Sequence, residues 1–319
     1  MCIKMMINKI VVALALLVLC GEVHAQDEFT RELKAYPYNL KDTTVIGAPV
    51  SAEIRQKDTL LDVARRYDLS YYNELEFLYP HLDEWLPPKD KPMVLPTMWV
   101  LPPTRHQQLV INLPEQRLYY FIKKEATVQT YPIGIGDEGW ETPVGTFHIY
   151  EKRPNPTWYI PASLQEKYGM KSMPPGPDNP MGDFVMKFSA GAYGIHGTNV
   201  PWGVGGLVSH GCIRLYPEDI RILYAQVKIS TKLEIIYEPI KFGQRNGHIF
   251  MEAHPDIYRR IPDYWRFAWE KLRQYPLSDS VDLKRFQLAL LLQNGMVTDI
   301  TRLQVTDGFG REIINLMMQ

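Results

Sequence analysis

Between Leu109 and Phe188 the chain passes through five segments rich in β-branched and aromatic residues with no helical stretch between them, and this narrows the fold more than any other feature. The segments are Leu109–Leu113, Arg117–Ile122, Ala126–Ile135, Gly145–Glu151 and Phe184–Phe188. Turn signals divide them: Pro114-Glu115, Lys123-Lys124-Glu125, and Gly134 with Gly136 and Gly139. Strands that follow one another without crossover helices point to an antiparallel sandwich or barrel rather than a doubly wound sheet. A helix over Pro217–Gln226 and a strand over Lys232–Tyr237 close a mainly β domain at 108–238. The insertion from Pro154 to Pro180 exceeds an ordinary hairpin connection. Its Trp158, Tyr159 and Tyr168 suit either gripping a peptide or sugar or packing down on the sheet.

Ahead of this domain, Thr44–Leu101 reads as a small α+β module, placed at 42–102. Asp58 and Thr59 cap a helix carrying Leu60, Leu61, Val63 and Ala64, which the Asp68-Leu69-Ser70 break ends. A second helix runs from Tyr72 to Leu78, and prolines lead into a strand at Met93–Leu95, giving the order strand, helix, helix, strand. The residues from 26 to about 41 read as a polar, flexible lead. Beyond Tyr237, residues 239–319 read as a packed helical appendage. Trp265, Ala268, Trp269 and Leu272 share one helix face there, and a second helix over Leu283–Gln293 stops at Asn294-Gly295.

Lys4 and Lys9 precede an apolar run from Ile10 to Cys20 and the small-residue stretch Val23-His24-Ala25, the layout of a secretory signal peptide at 1–25. The run falls short of the roughly 20 apolar residues that span a bilayer, so cleavage near Ala25 and export are expected. Cys20 opens a lipoprotein alternative, against which Leu19 stands where a small residue normally precedes a lipidated cysteine. Of the three cysteines, Cys2 and Cys20 leave with the leader and Cys212 remains alone, so no intramolecular disulfide forms. A lone thiol in an oxidising compartment is either a buried bystander or a group retained for its chemistry. At 45% hydrophobic and 22% charged the chain is a normal folded mix, and its formal net charge of −1 favours neither nucleic acid nor an anionic membrane.

Chemistry-bearing residues concentrate in YGIHGTNVPWGVGGLVSHGCIRLYPEDI, where His196 lies sixteen positions before Cys212, His210 two before it and Arg214 two after. A thiol attacks as thiolate and needs a base near neutral pH, which a histidine on a neighbouring strand supplies before returning the proton to a leaving amine. Gly211 permits a tight turn, so the amides of His210, Gly211 and Cys212 can converge on a developing oxyanion. Arg214 offers a planar fork for a substrate carboxylate, or else a salt bridge to Glu218 or Asp219. His196, His210 and Cys212 are also ligand types for zinc, although the His-x-Cys spacing is narrow and no fourth ligand cluster is evident. His81, His106, His148, His248 and His254 show no partner pattern and read as surface or packing residues.

The run Ser209-His210-Gly211-Cys212-Ile213-Arg214, preceded by His196-Gly197-Thr198, resembles the catalytic domain of the L,D-transpeptidases. The resemblance extends to PIGIG at 132–136, TPVGTF at 142–147 and GPDNPMG at 176–182, covering about Gln108 to Tyr237. It implies that Cys212 is the acylated nucleophile and His196 the general base, oriented by the Gly197 carbonyl, with His210 and Gly211 lining the oxyanion site. Arg214, Gly197, Thr198 and Ser209 are then the expected substrate-binding residues. The implied substrate is a tetrapeptide stem of peptidoglycan, cut between the diamino acid and D-Ala; the acyl group passes to an amine of another stem or of a lipoprotein. No nucleotide, metal or other cofactor is implied, and carbapenem β-lactams are the implied covalent inhibitors. Transfer to water, hydrolysis of wall crosslinks, and a non-catalytic wall-binding role are the rival readings. The run KDTLLDVARRYDLSYYNELEFLYPHLDEWLP resembles a LysM module, which implies glycan contact; Lys57 and Tyr79 depart from the usual Gly and Asn. The implied location is the periplasm or the cell wall.

Overall fold

The computed structural model describes residues 34–106 and 108–302. The expected leader, with Cys2 and Cys20, lies outside them.

The centre is a nine-stranded mixed sheet. Across it the strands run Ala35–Pro37, Thr127–Pro132, Arg117–Ile122, Leu109–Asn112, Lys232–Ile236, Gly145–Pro154, Phe184–Phe188, Gly194–His196 and Ile213–Arg214. Most neighbours are antiparallel, as the hairpin signals require, but Lys232–Ile236 runs parallel to Leu109–Asn112 and Gly194–His196 parallel to Ile213–Arg214. The purely antiparallel expectation is corrected at these two places. The helix Pro217–Gln226 returns the chain from the Ile213–Arg214 edge to the middle of the sheet, and the stretch 197–212 carries it between the other parallel pair.

Both faces of the central strands are covered, which explains why 109–113 is apolar at nearly every position instead of alternating. Leu109, Ile111 and Leu118 enter one core with Ile195, Ile213, Ile220 and Leu223, beneath the helix Pro217–Gln226. Val110, Tyr119, Phe121 and Val128 point the other way, into a core shared with Leu60, Val63, Leu75 and Trp99 of the amino-terminal module. The module thus roofs the second face of the central sheet.

Within the module the order strand, helix, helix, strand is present: Val50–Ala52 pairs Met93–Leu95, with Leu60–Arg66 and Glu76–Leu78 between them. Thr59 caps the first helix with a reciprocal box to Asp62. The second helical segment opens with a π-helical turn, Tyr71–Leu75. There Glu74 folds back onto Ser70 N at 2.6 Å and takes the buried Arg117 guanidinium at 2.5 Å. A further pair, Val45–Gly47 with Met98–Val100, extends the module.

Two expectations are overturned outside the centre. The polar lead is not all irregular, since Ala35–Pro37 pairs with 127–129 at the sheet edge. The appendage is not purely helical: before helices Tyr264–Gln274 and Leu283–Leu292 it forms a hairpin of Ile240–Arg245 with His248–Ala253. Asn246 and Gly247, both with positive φ, make the two-residue turn of that hairpin. Hairpin and helices close a core of their own around Met251, Ala268, Leu272 and Phe286.

A buried polar knot joins the segments. The Lys241 ammonium lies 2.7 Å from Glu115 Oε2, 3.0 Å from Glu252 Oε1 and 2.7 Å from the Val100 carbonyl. Glu252 also accepts from Val100 N at 2.6 Å and meets His254 Nε2 at 2.7 Å. Glu115, Glu252 and His254 bring metal-type ligand atoms within 4.8 Å of one another. Lys241 already supplies a cation to both carboxylates. His254, expected as a surface or packing residue, is a member of this network.

Candidate active site

The parallel pairing of Gly194–His196 with Ile213–Arg214 sets His196 opposite Arg214 and leaves Cys212 at the mouth of the same strand. Val185 flanks His196 on the other side, Leu215 N donates to the His196 carbonyl at 2.9 Å, and Arg214 exchanges two backbone hydrogen bonds with Gly134. The strand that carries the thiol is therefore held along both edges.

His196 is 5% exposed, and its Nδ1 lies 2.6 Å from the Gly197 carbonyl. A carbonyl only accepts, so Nδ1 carries the proton and Nε2 keeps the free lone pair. Burial, followed by the Arg214 charge, lowers the imidazole to about 4 against the pull of the Gly197 and Met181 carbonyls. Near neutrality the ring is a neutral base. Burial pushes the Cys212 thiol up, opposed by a backbone hydrogen bond from Gly194 and by the Arg214 charge. At rest the thiol and the imidazole are therefore each uncharged.

The turn before the thiol is closed by two side chains. Ser209 Oγ donates to the Cys212 carbonyl at 2.6 Å and accepts from Gly211 N at 3.1 Å, while Thr142 Oγ1 donates to the Gly211 carbonyl at 3.1 Å. Gly211 sits at φ +96°, and a Cβ there would come within 2.2 Å of the Tyr193 ring. Only glycine suits both the backbone and the space. The His210 ring packs on Trp140 with centroids 4.5 Å apart.

Two of the residues expected to contact substrate carry hydrogen bonds within the chain. Ser209 is buried, and its hydroxyl bonds within the turn before Cys212. Thr198 is also buried, and its hydroxyl accepts from Val200 N at 3.0 Å. Gly197 serves through its carbonyl, and a Cβ on it would press on Ile220 at 3.1 Å. The Gly211 amide, expected to face an oxyanion, is engaged by Ser209. Arg214 does not meet Glu218, whose carboxylate forms a two-pronged pair with Arg65 of the module at 2.8 and 2.7 Å. Burial lowers the Arg214 guanidinium, the charges of Cys212 and Tyr168 support it, and its buried Nε has no hydrogen-bond partner.

The long insertion forms a short hairpin, Trp158–Tyr159 with Ser172–Met173, and a helix, Ala162–Tyr168. Trp158 packs edge-on to Tyr168 at 5.0 Å, whereas Tyr159 stays exposed, so the insertion both packs and presents an aromatic. Asn179 pins its ends, its side-chain Nδ2 donating a hydrogen bond to the Pro156 carbonyl at 2.9 Å. A concavity of about 230 Å³ lies between the module and the loop 201–204, lined by Asp62, Arg65, Tyr71, Trp85, Trp202 and Tyr216. Sequence reading did not single out Thr142, although it lies in the quoted TPVGTF run, nor Trp140 and Tyr193, whose roles appear only in three dimensions.

Residues 106–235 match the family model for the YkuD L,D-transpeptidase catalytic domain. A Salmonella typhimurium protein named probable L,D-transpeptidase ErfK/SrfK is 34% identical over 286 residues, spanning 84% of this chain and 91% of that one. This chain belongs to the L,D-transpeptidase family. The Escherichia coli family member YbiS, also named a probable L,D-transpeptidase, is 35% identical over 70% of this chain and 76% of its own. Among solved structures, the catalytic domain of the Enterococcus faecium L,D-transpeptidase aligns with 42% of this chain and all of its own, at 20% identity and a TM-score of 0.34.

Proposed function

We propose that this L,D-transpeptidase acts as a cysteine acyltransferase on peptidoglycan stem peptides outside the cytoplasm. The observation that carries the reading is the His196 ring, whose Nδ1 is tied to the Gly197 carbonyl so that Nε2 is left as the base on the strand beside Cys212.

In this reading Nε2 takes the thiol proton as Cys212 Sγ attacks the carbonyl between the diamino acid and the terminal D-Ala of a tetrapeptide. A lowered imidazole and a raised thiol make this proton transfer part of the attack rather than a pre-formed ion pair. The oxyanion takes the Cys212 amide and the neighbouring His210 amide as donors, since the Gly211 amide serves Ser209. The tetrahedral intermediate collapses, the imidazolium returns its proton to the departing amine, and D-Ala leaves. Arg214 receives a substrate carboxylate, in keeping with its charge and its buried, unbonded Nε. An amine of a second stem, or of a lipoprotein, then takes the acyl group from Cys212 by the reverse sequence. Carbapenems acylate the same sulfur.

The amino-terminal module acts as a LysM-type glycan contact. Trp85 and Trp202, 59% and 57% exposed, offer flat apolar faces on either side of the cleft between module and catalytic sheet.

Muropeptide analysis tests the reading: the protein, freed of residues 1–25, and its Cys212→Ala variant are incubated with a purified disaccharide tetrapeptide. Cys212-dependent D-Ala and dimers joined between diamino acids are the expected products. Tripeptide without dimers assigns water as the acceptor, and no Cys212-dependent turnover refutes the acyltransferase.

A further inference from the structure

Besides Lys241, the segment after Tyr237 reaches the 108–238 domain through a second buried side chain, Tyr258. Tyr258, 7% exposed, donates its hydroxyl to the Gly136 carbonyl at 2.5 Å. Gly136 N donates to Thr142 Oγ1 at 3.0 Å, and Thr142 Oγ1 donates to the Gly211 carbonyl at 3.1 Å. Gly136 also belongs to the short strand Ile135–Gly136 that pairs with Leu207–Ser209, directly ahead of the thiol turn. Through the Gly136 backbone, these hydrogen bonds link the appendage to the Gly211–Cys212 peptide.

The consequence follows from peptide geometry. In a planar trans peptide the carbonyl and the following N–H point in opposite directions. Holding the Gly211 carbonyl on Thr142 therefore aims the Cys212 N–H at the opposite side of the turn. Gly211, at φ +96°, lacks the Cβ that would otherwise restrict rotation of this peptide, so its orientation depends on what grips the carbonyl.

Tyr258 is itself held firmly. Its backbone N donates to the Tyr237 hydroxyl at 2.9 Å, and its ring stacks on Tyr237 at 5.9 Å. The Arg260 guanidinium lies over both rings, 4.8 Å from Tyr237 and 5.1 Å from Tyr258, and pairs with Glu141 next to Trp140. Trp140 is the residue that packs on His210. One short stretch of the appendage thus braces both the chain behind the thiol and the loop beside it.

We infer that Tyr258 is a positioning residue for the acyl-transfer step: through Gly136 and Thr142 it fixes the Gly211–Cys212 peptide and with it the direction of the Cys212 amide. This rests on the proposed role of Cys212 as nucleophile. It gives the appendage a part in the chemistry beyond packing.

Tyr258→Phe removes the hydroxyl and keeps the ring. Two reactions of Cys212 in the protein lacking residues 1–25 are compared: acylation by imipenem, followed by loss of β-lactam absorbance, and alkylation by iodoacetamide. Acylation develops an oxyanion and alkylation does not. Acylation is expected to slow about tenfold, less than the loss from deleting an oxyanion donor outright. Half-saturation and the alkylation rate stay within about twofold of wild type, and melting stays within a few degrees, a shift of about 1 kcal/mol or less at this chain length. Unchanged acylation, an equal fall in both reactions, or a loss that merely follows a lowered melting temperature would each overturn the inference. A wild-type protein that imipenem does not acylate at Cys212 would refute the function reading itself, and the inference with it.

Discussion

Replacing Lys241 by methionine keeps most of the side-chain volume but removes the one ammonium that Glu115 and Glu252 share at 2.7 and 3.0 Å. Neither carboxylate can reach water, because Glu252 is fully buried and Glu115 is 2% exposed. Burial by itself raises Glu252, and the Lys241 charge with the His254 hydrogen bond brings it below its usual range. Glu115, where burial outweighs Lys241, stays above its own. Without Lys241 both burial penalties stand uncompensated, and the Val100 carbonyl loses its 2.7 Å donor as well. Deleting one partner of such a buried set costs about 3 to 5 kcal/mol. For a chain of this length that corresponds to a melting point lower by roughly 10 °C. Thermal unfolding by circular dichroism at pH 7.5 and pH 5 measures it. The gap should narrow at pH 5, because the orphaned carboxylates then take up protons more readily, and adding Glu252→Gln to Lys241→Met should recover part of the loss. A single variant melting within about 2 °C of wild type at both pH values would refute the claim that this knot locks the three segments together.

Gly211→Ala places a methyl carbon 2.2 Å from the Tyr193 ring at φ +96°, so it should cost about 2 to 4 kcal/mol in melting experiments, from backbone strain and overpacking together, and stop acylation of Cys212. The pH profile of kcat/KM should have its acid limb near 4, where His196 protonates, and stay level from there to neutrality. His196 also destabilises the fold in acid: the unfolded ring binds its proton near the ordinary 6.5 and the buried ring only near 4. The His196 contribution is therefore intact above pH 6.5 and falls by about 3 kcal/mol as pH drops to 4, a difference that His196→Gln should abolish in pH-dependent denaturant titrations. Iodoacetamide should alkylate Cys212 slowly at pH 7 and faster only above the ordinary thiol range, since burial raises the thiol; fast alkylation at pH 6 would instead indicate an ion pair.

Strands such as Arg117–Ile122 and the helix Pro217–Gln226 are legible in the sequence because side-chain type and turn residues act locally. Their partners are not. The strand Ala35–Pro37 has three residues, one of them proline, and exists through its pairing with 127–129. The hairpin at Asn246-Gly247 carried a usable signal, an Asn-Gly step between Ile240–Arg245 and His248–Ala253, which the stronger helical stripes behind it obscured. Cys212, His196 and Arg214 stand out because the strand pair that joins them lies within one glycine-rich stretch. The supporting groups do not, because Thr142 acts on Gly211 across 69 positions and Tyr258 on Gly136 across 122. The turn-holding bonds of Ser209 and Thr198 were not legible for a related reason: a hydroxyl in a glycine-rich stretch suits substrate or turn equally well until its hydrogen-bond partners are seen.

Peptide mapping of the protein lacking residues 1–25, quenched in acid after brief incubation with disaccharide tetrapeptide and no acceptor, tests the central claim most directly. The account predicts the disaccharide-tripeptide acyl group on the peptide containing Cys212, formed in step with D-Ala release and lost when an acceptor amine is added. D-Ala release with Cys212 never modified would contradict it.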